Sequence, residues 1–136
     1  CISLGQKLPS TNQTLNLYVN DCIGYRMSTE VVLFFSYFAF GTADAISFRR
    51  EADGNEVLRI FDLKTGTGKV SGEQLEVYAA LFCLEYGKRP YEIDYDLRIY
   101  QNDEVIMFET DPEVIAHIMD RFIEANKLIT DYQKEV

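Results

Sequence analysis

Apolar positions along the chain follow two spacings, and each change of spacing falls at turn-forming residues. Residues 1–10, with Gly5, Pro9 and Ser10, read as a loop or extended arm. Leu15, Val19, Cys22 and Ile23, with Tyr18 beside them and Arg26 continuing the spacing, then recur at helical intervals. Thr11 or Asn12 supplies a cap, so a helix is expected from about Asn12 to Met27. Its polar face, Asn16, Asn20 and Asp21, is expected to be solvated. Glu30 to Tyr37 is a run of Val, Leu and Phe behind one acid and reads as a buried strand. Two further strands are expected over Phe40–Arg50 and Glu56–Lys64. Ser71-Gly72-Glu73-Gln74 fits a capping box and opens a helix with the stripe Leu75, Tyr78, Ala79, Phe82 and Tyr86, ended by Gly87.

Tyr91 to Tyr100 alternates, with Ile93, Tyr95, Leu97 and Ile99 against Glu92, Asp94, Asp96 and Arg98, as a strand does. Gln101-Asn102-Asp103 is a turn and Val105–Phe108 a further strand. Asp111-Pro112 starts a last helix, aspartate as cap and proline in the first turn. Its expected buried stripe is Val114, Ile115, Ile118, Met119, Phe122, Ala125 and Leu128-Ile129.

The register of the hairpin follows from its loop. Ala52-Asp53-Gly54, with Gly54 left-handed, suits a type I turn with a bulge. That loop opposes Asp44 to Asp62, Ile46 to Ile60, Phe48 to Leu58 and Arg50 to Glu56. One face is then apolar, with a charge pair at the turn and two carboxylates at the far end. A two-residue Asp53-Gly54 loop would set Arg59 against Phe48 and split the two aspartates between opposite faces, which disfavours it. Lys64, two residues beyond Asp62, shares its face.

Two opposed carboxylates on an apolar face are costly unless something compensates them: a metal ion, a shared proton, or Lys64. Hard oxygen ligands favour Mg²⁺, with Mn²⁺ in its place. The alternative is a buried Asp–Lys pair that only shapes the hairpin. Glu30, at its strand edge, is either a third oxygen ligand or an ordinary exposed acid. Gln74 and Tyr78 lie four apart on one helix face, serving either the acid pair or only the capping box and the core. Thr65-Gly66-Thr67-Gly68-Lys69 lacks the spacing of a P-loop and reads as a strand-to-helix turn. His117, the single histidine, sits on the last helix as a surface residue, and no Ser-His or Cys-His nucleophile is present.

With 136 residues the chain suits one domain, 1–136, with a sizeable core. At 47% hydrophobic and 26% charged it belongs with globular rather than disordered chains. No apolar run is long enough to span a membrane and no signal peptide is visible. It opens on Cys1 rather than methionine, so the possibility of upstream elements stays open. Cys1, Cys22 and Cys83 make neither a metal-ligand pattern nor a disulfide framework and read as buried or incidental thiols in a reducing compartment.

The net charge of −9 argues against tight non-specific binding of DNA. Its distribution is uneven. Residues 1–91 hold 10 acids and 9 bases, residues 92–136 hold 12 and 4, so the excess lies away from the acid pair. Phosphate contact is expected to be local, through Arg49, Arg50, Lys64, Lys69, Lys88 or Arg89, and binding without metal to be weak.

The expected order is helix, three strands, helix, strand, strand, helix. With Gly41-Thr42-Ala43-Asp44, Asp62-Leu63-Lys64 and Gln74-Leu75-Glu76-Val77-Tyr78 in order, the chain resembles the PD-(D/E)XK nuclease superfamily over residues 12–100. The resemblance is to its RecB-like exonuclease branch, marked by a Gly-x-x-Asp strand, an acid-x-Lys strand and a Gln-x-x-x-Tyr helix. It implies an α/β, restriction-endonuclease-like core (α-β-β-β-α-β), a mixed sheet flanked by helices, with an extra C-terminal strand and helix. It further implies a Mg²⁺-dependent deoxyribonuclease, an exonuclease of phage or bacterial recombination or repair, in the cytoplasm of a bacterial cell or phage-infected host.

Carried over, Asp44, Asp62 and the Leu63 carbonyl would hold the metal, with Glu30 as the upstream acid. Lys64 would orient or activate the attacking water, and Gln74 and Tyr78 would steady the site and the substrate backbone. Some members use a histidine from the first helix, and none occurs there. No cysteine follows Cys83, so no iron–sulfur cluster is expected. The partner implied is DNA, with no membrane; protein partners or an oligomer are left open. The alternative is a catalytically inactive module of the same fold that binds nucleic acid or a protein partner.

Overall fold

The computed structural model describes residues 14–36, 39–64 and 71–135. The two spacings resolve into α1 (Thr14–Gly24), β1 (Ser28–Ser36), β2 (Ala39–Arg50), β3 (Glu56–Leu63), α2 (Glu73–Tyr86), β4 (Asp94–Gln101), β5 (Glu104–Phe108) and α3 (Pro112–Glu135). The expected caps Thr11 and Asn12, the strand end at Tyr37 and the turn 65–69 lie outside the described residues. The strands form one five-stranded sheet in the order β1-β2-β3-β4-β5. β3 runs parallel to β4, and the other neighbours are antiparallel. It is an α/β arrangement, a mixed sheet flanked by helices. Among the described residues no helix is long and apolar enough to cross a membrane.

The β2–β3 hairpin has the register that the three-residue loop implies. Ile46 pairs with Ile60, Phe48 with Leu58 and Arg50 with Glu56. Gly54 takes φ +89° and donates its N–H to Glu51 O at 2.9 Å, which closes the turn. The expected Arg50–Glu56 charge pair does not form. Arg50 donates to Gly54 O at 3.0 Å, and Glu56 lies 3.9 Å from Lys88. A main-chain carbonyl inside the turn holds the guanidinium more closely than an exposed carboxylate does.

Each face of the sheet has its own core. Leu33, Ala43, Ile46, Leu58, Ile60, Leu97 and Ile99 meet Leu75, Ala79 and Phe82 of α2 and Ile115 of α3. On the other face Ala45, Phe61 and Tyr100 meet Tyr18, Val19 and Cys22 of α1. α1 is fixed at both ends. The main chain and hydroxyl of Thr14 exchange hydrogen bonds with Asp103 in the β4–β5 turn. Asp21, expected to be solvated, instead accepts the Tyr100 hydroxyl at 2.7 Å and lies 3.5 Å from Arg98. The expected stripe erred at Leu15, which is exposed; α1 packs chiefly against β3 and β4.

Beyond the exposed Asp94, the polar side of β4 is half-buried. Asp96 ties Arg59 (3.1 Å) to Arg98 (2.8 Å), and both guanidinium groups lie over the Tyr25 ring. Burial pulls the Arg98 pKa down, but bonds to Asp96, Tyr25 and Tyr100 outweigh it and the net shift is upward. The beginning of the expected strand, at Tyr91, is a 3₁₀ turn, Pro90–Glu92, since proline cannot donate to a ladder. Gln101 pairs with Glu104, which contracts the next turn to Asn102-Asp103, both left-handed, as a two-residue hairpin requires.

α2 ends at Gly87, whose φ of +66° lets its N–H reach Cys83 O. Tyr86 is exposed rather than in the stripe; among the described residues α3 buries fully only Ile115, leaving Val114, Ile123 and Leu128 exposed. α3 packs chiefly against α2 and the Pro90–Glu92 turn. His117 is exposed, as expected. Gly54→Ala is expected to cost about 1–2 kcal/mol, because an L side chain is forced left-handed in open space. Urea denaturation would show this as a lower midpoint with an unchanged slope.

Candidate functional site

β2 and β3 carry Asp44 and Asp62 to one end of the sheet, and α2 lays Gln74 and Tyr78 over it. The ladder ends with Ala45 paired to Phe61, and Asp44 and Asp62 are the next residues along the two strands. Their carboxyls lie within hydrogen-bonding reach of each other. Asp44 Oδ2 accepts the Leu63 N–H at 3.1 Å. Asp62 is 6% exposed, and Lys64 Nζ stands 2.8 Å from its Oδ2. At that distance the ammonium and the carboxylate make a charge-assisted contact, so Lys64 is the partner of the buried oxygen.

The lysine also donates to Gln74 Oε1 at 3.3 Å, and Gln74 Nε2 donates to the Tyr78 hydroxyl oxygen at 2.7 Å. A connected polar chain thus runs from Asp44 through Asp62, Lys64 and Gln74 to Tyr78. Gln74 does not close the expected capping box. Ser71 Oγ accepts the Glu73 N–H at 3.1 Å, while the glutamine turns inward to lysine and tyrosine.

Gly41 has a physical role in this arrangement. A Cβ there would lie 2.8 Å from Tyr78 Cε1, so only glycine lets the ring settle on β2. Three residues on, the strand departs from strict alternation. Ala43 packs beneath α2 and Ala45 beneath α1, although residues two apart normally share a face. The break falls at Asp44. Across from it, between the pairs Thr29–Ala45 and Val31–Ala43, Glu30 takes φ +53°. Glu30 is exposed and lines a cleft of about 360 Å³ with Tyr18, Thr29, Asp44 and Leu63. Tyr18 was read from the sequence only as an apolar neighbour in the first helix. Nothing in local spacing marks it; its place follows from α1 packing across β3 and β4.

The other expected phosphate contacts do not converge. Arg49 and Arg50 stand at the turn end of β2, about 20 Å along the strand from Asp44. Lys88 and Arg89 follow the far end of α2, where Lys88 lies over the Phe48 ring. Of the six cations, Lys64 alone is at the site among the described residues, and Lys69 lies outside them. Cys22 and Cys83 are buried thiols, pushed up to about 12 and about 11, each chiefly by burial. Cys1 lies outside the described residues.

The acid pair has the electrostatics expected of uncompensated carboxylates. Burial first, then Asp44, raises Asp62 to about 6, against the opposing pull of Lys64. The Asp62 carboxylate raises Lys64. Burial, then Asp62, raises Tyr78. Among the described residues no group of three or more histidine, cysteine or acidic side chains is gathered closely enough to hold a metal ion unaided. The donors present still suit Mg²⁺, which keeps several waters and takes one or two carboxylates plus substrate phosphate. Asp62, buried and with its proton affinity raised by burial and by Asp44, presents the oxygen such an ion would share with Lys64.

No family model matches the chain, and no curated protein matches it in sequence. Among solved structures, the crystal structure of SSO0001 aligns at 14% identity with a TM-score of 0.43, over 82% of this chain and 57% of that one. The chain therefore spans little more than half of that protein's length, and a likeness so slight transfers neither fold nor function.

Two predictions follow the geometry. Asp62 binds its proton more tightly folded than unfolded, so its contribution to stability is fully present below about pH 4 and is lost as pH rises through about 6. Metal-free protein is therefore expected to lose stability across that window, and Asp62→Asn to flatten the loss, as read by melting temperature against pH. Gly41→Ala is expected to displace Tyr78 and cost roughly 1–3 kcal/mol. Loss of the Gln74–Tyr78 contact in its crystal structure would accompany the lower melting temperature.

Proposed function

We propose that the chain is a divalent-metal-dependent nuclease of the PD-(D/E)XK kind, with a restriction-endonuclease-like core, hydrolysing phosphodiester bonds of DNA as RecB-like exonucleases do. The observation that carries this reading is the polar chain in which the buried Asp62, beside Asp44, meets Lys64, and Lys64 meets Gln74 and Tyr78. Tyr78 is also part of the core, but its hydroxyl and Gln74 continue the same polar chain, of which a purely structural Asp–Lys pair has little need.

Asp44, Asp62 and the Leu63 carbonyl would hold Mg²⁺, or Mn²⁺ in its place; Glu30 lines the adjoining cleft but is not gathered with the two aspartates, so as a third ligand it would act only after a change of side-chain position. When bound, the ion would offset charge on the phosphate and lower the pKa of a water. The residues of the chain supply the rest. Lys64, freed from Asp62 Oδ2, keeps a fixed positive charge beside the attacking water and the phosphate oxygens. Gln74 limits where that ammonium can move, and the Tyr78 hydroxyl holds Gln74 in turn. With so few cations at the site, DNA affinity rests on the ion and on few direct contacts.

A second reading has its own observation. Lys64 already neutralises Asp62, and Arg49, Arg50, Lys88 and Arg89 lie away from it, as an inactive module that kept the fold and binds nucleic acid or a protein partner would allow.

Incubation of the purified chain with linear and circular DNA in Mg²⁺, Mn²⁺ or EDTA separates the two. Cleavage of linear DNA with metal and none with EDTA is expected. Cleavage that persists in excess EDTA sinks the mechanism, and none under any condition favours the inactive module. Within an active protein, Asp62→Asn is expected to lose metal affinity measured by calorimetry. Lys64→Ala should keep metal binding and slow the chemical step roughly 100-fold or more. Gln74→Ala should melt almost normally while activity falls roughly 10- to 100-fold.

A further inference from the structure

The largest groove described in the molecule is away from the acid pair, where β5 stops short of β4. β4 spans Asp94–Gln101, but β5 pairs only with Leu97–Gln101. The Lys64 N–H donates to Tyr100 O at 2.9 Å, so the Tyr100 main chain faces β3. Main-chain groups alternate sides along a strand, which turns those of Leu97 and Tyr95 toward β5. Leu97 meets Phe108, the last residue of β5. The N–H and C=O of Tyr95, two residues earlier, therefore look past the end of β5 into open space.

That space is a groove of about 690 Å³. Its walls are apolar, from Ile93, Leu97, Phe108 and Pro112, with Met107 65% exposed beside them. Asp94 and Glu109 line it, both exposed and neither in an ion pair with a described residue. Asp96 is already held by Arg59 and Arg98.

We propose that this groove docks an extended, Lys- or Arg-bearing segment of a protein partner, added along β4 in line with β5. Three features ask for the same occupant. The open strand edge takes a main chain, the apolar walls take alternate side chains, and the unpaired carboxylates take cations at the positions between. An anionic segment or a nucleic acid meets two uncompensated carboxylates there. The proposal does not depend on the nuclease reading, since the groove shares no residue with the acid pair.

The test is an amide chemical-shift titration of the isotopically labelled chain with a capped, alternating Lys/Val heptapeptide, and with its Glu/Val counterpart. The cationic peptide is expected to shift Tyr95, Leu97 and Phe108, to slow exchange of the Tyr95 N–H, and to leave Asp44 and Asp62 unmoved. The anionic one should do none of this. The double variant Asp94→Lys, Glu109→Lys changes two exposed side chains and should keep its melting temperature while weakening the cationic peptide roughly tenfold or more. Equal shifts with both peptides, no shift at millimolar peptide, or binding indifferent to the double variant would overturn the proposal. Concentration-dependent shifts at these residues without peptide would overturn it in favour of a second copy of the chain.

Discussion

A parallel neighbour cannot be reached by a hairpin. β3 and β4 run side by side in the same direction, so the chain must leave the end of β3, travel back along a face of the sheet and re-enter at the start of β4. α2 is that return path. Its first turns are thereby committed to the end of β3, where Asp62 and Lys64 stand, and its last turns to the far end, where Gly87 and Pro90 redirect the chain. Gln74 and Tyr78 meet Lys64 because of this crossover, and Lys88 lies over Phe48, remote from the acids, for the same reason. The topology distributes the charges before any local chemistry selects among them.

The parts of this arrangement that could be read in advance are those set by short-range rules. The left-handed glycine in Ala52-Asp53-Gly54 fixes the hairpin register, and the register fixes which acids oppose each other. Gly87 stops a helix, and Asp111 accepts the Glu113 N–H at 2.9 Å to start another. What could not be read depends on which element covers which. Asp21 has the periodicity of a solvated position, yet it holds the Tyr100 hydroxyl because α1 lies across β4. Leu15 and Leu128 have the periodicity of core positions and are exposed because no described element reaches them. Spacing reports that a face is apolar; only packing reports what is laid against it.

The same distinction holds within the candidate site. Strand alternation and loop geometry group Asp44, Asp62 and Lys64 in the sequence, and the structure brings them near one another although β2 departs from alternation at Asp44. Gln74 was ambiguous, since a glutamine three residues after a serine suits a capping box and a glutamine four before a tyrosine suits a shared face. The serine accepts a backbone N–H without the glutamine's return bond, which leaves the amide free to join lysine to tyrosine. Tyr18 carried no signal, and the cations at Arg49, Arg50, Lys88 and Arg89 carried a misleading one, because charge along a sequence says nothing of distance across a sheet.

The break in alternation at Asp44 ties these threads to one another. An ideal strand would put Ala43 and Ala45 on one face and give Asp44 wholly to the other. Instead the strand changes face there, Glu30 answers with a left-handed backbone on β1, and the Asp44 carboxylate reaches sideways to the Leu63 N–H. An unstrained backbone at Glu30 would be the more stable choice, since a non-glycine residue held left-handed costs about 1–3 kcal/mol. The distortion is maintained because the sheet on either side is well paired and buried. Its effect is to place Asp44 between two spaces, the cleft of Tyr18 and Glu30 on one side and the Asp62–Lys64 pair on the other. An acid so placed can bear on groups in both, which neither regular alternation nor a simple buried ion pair would achieve.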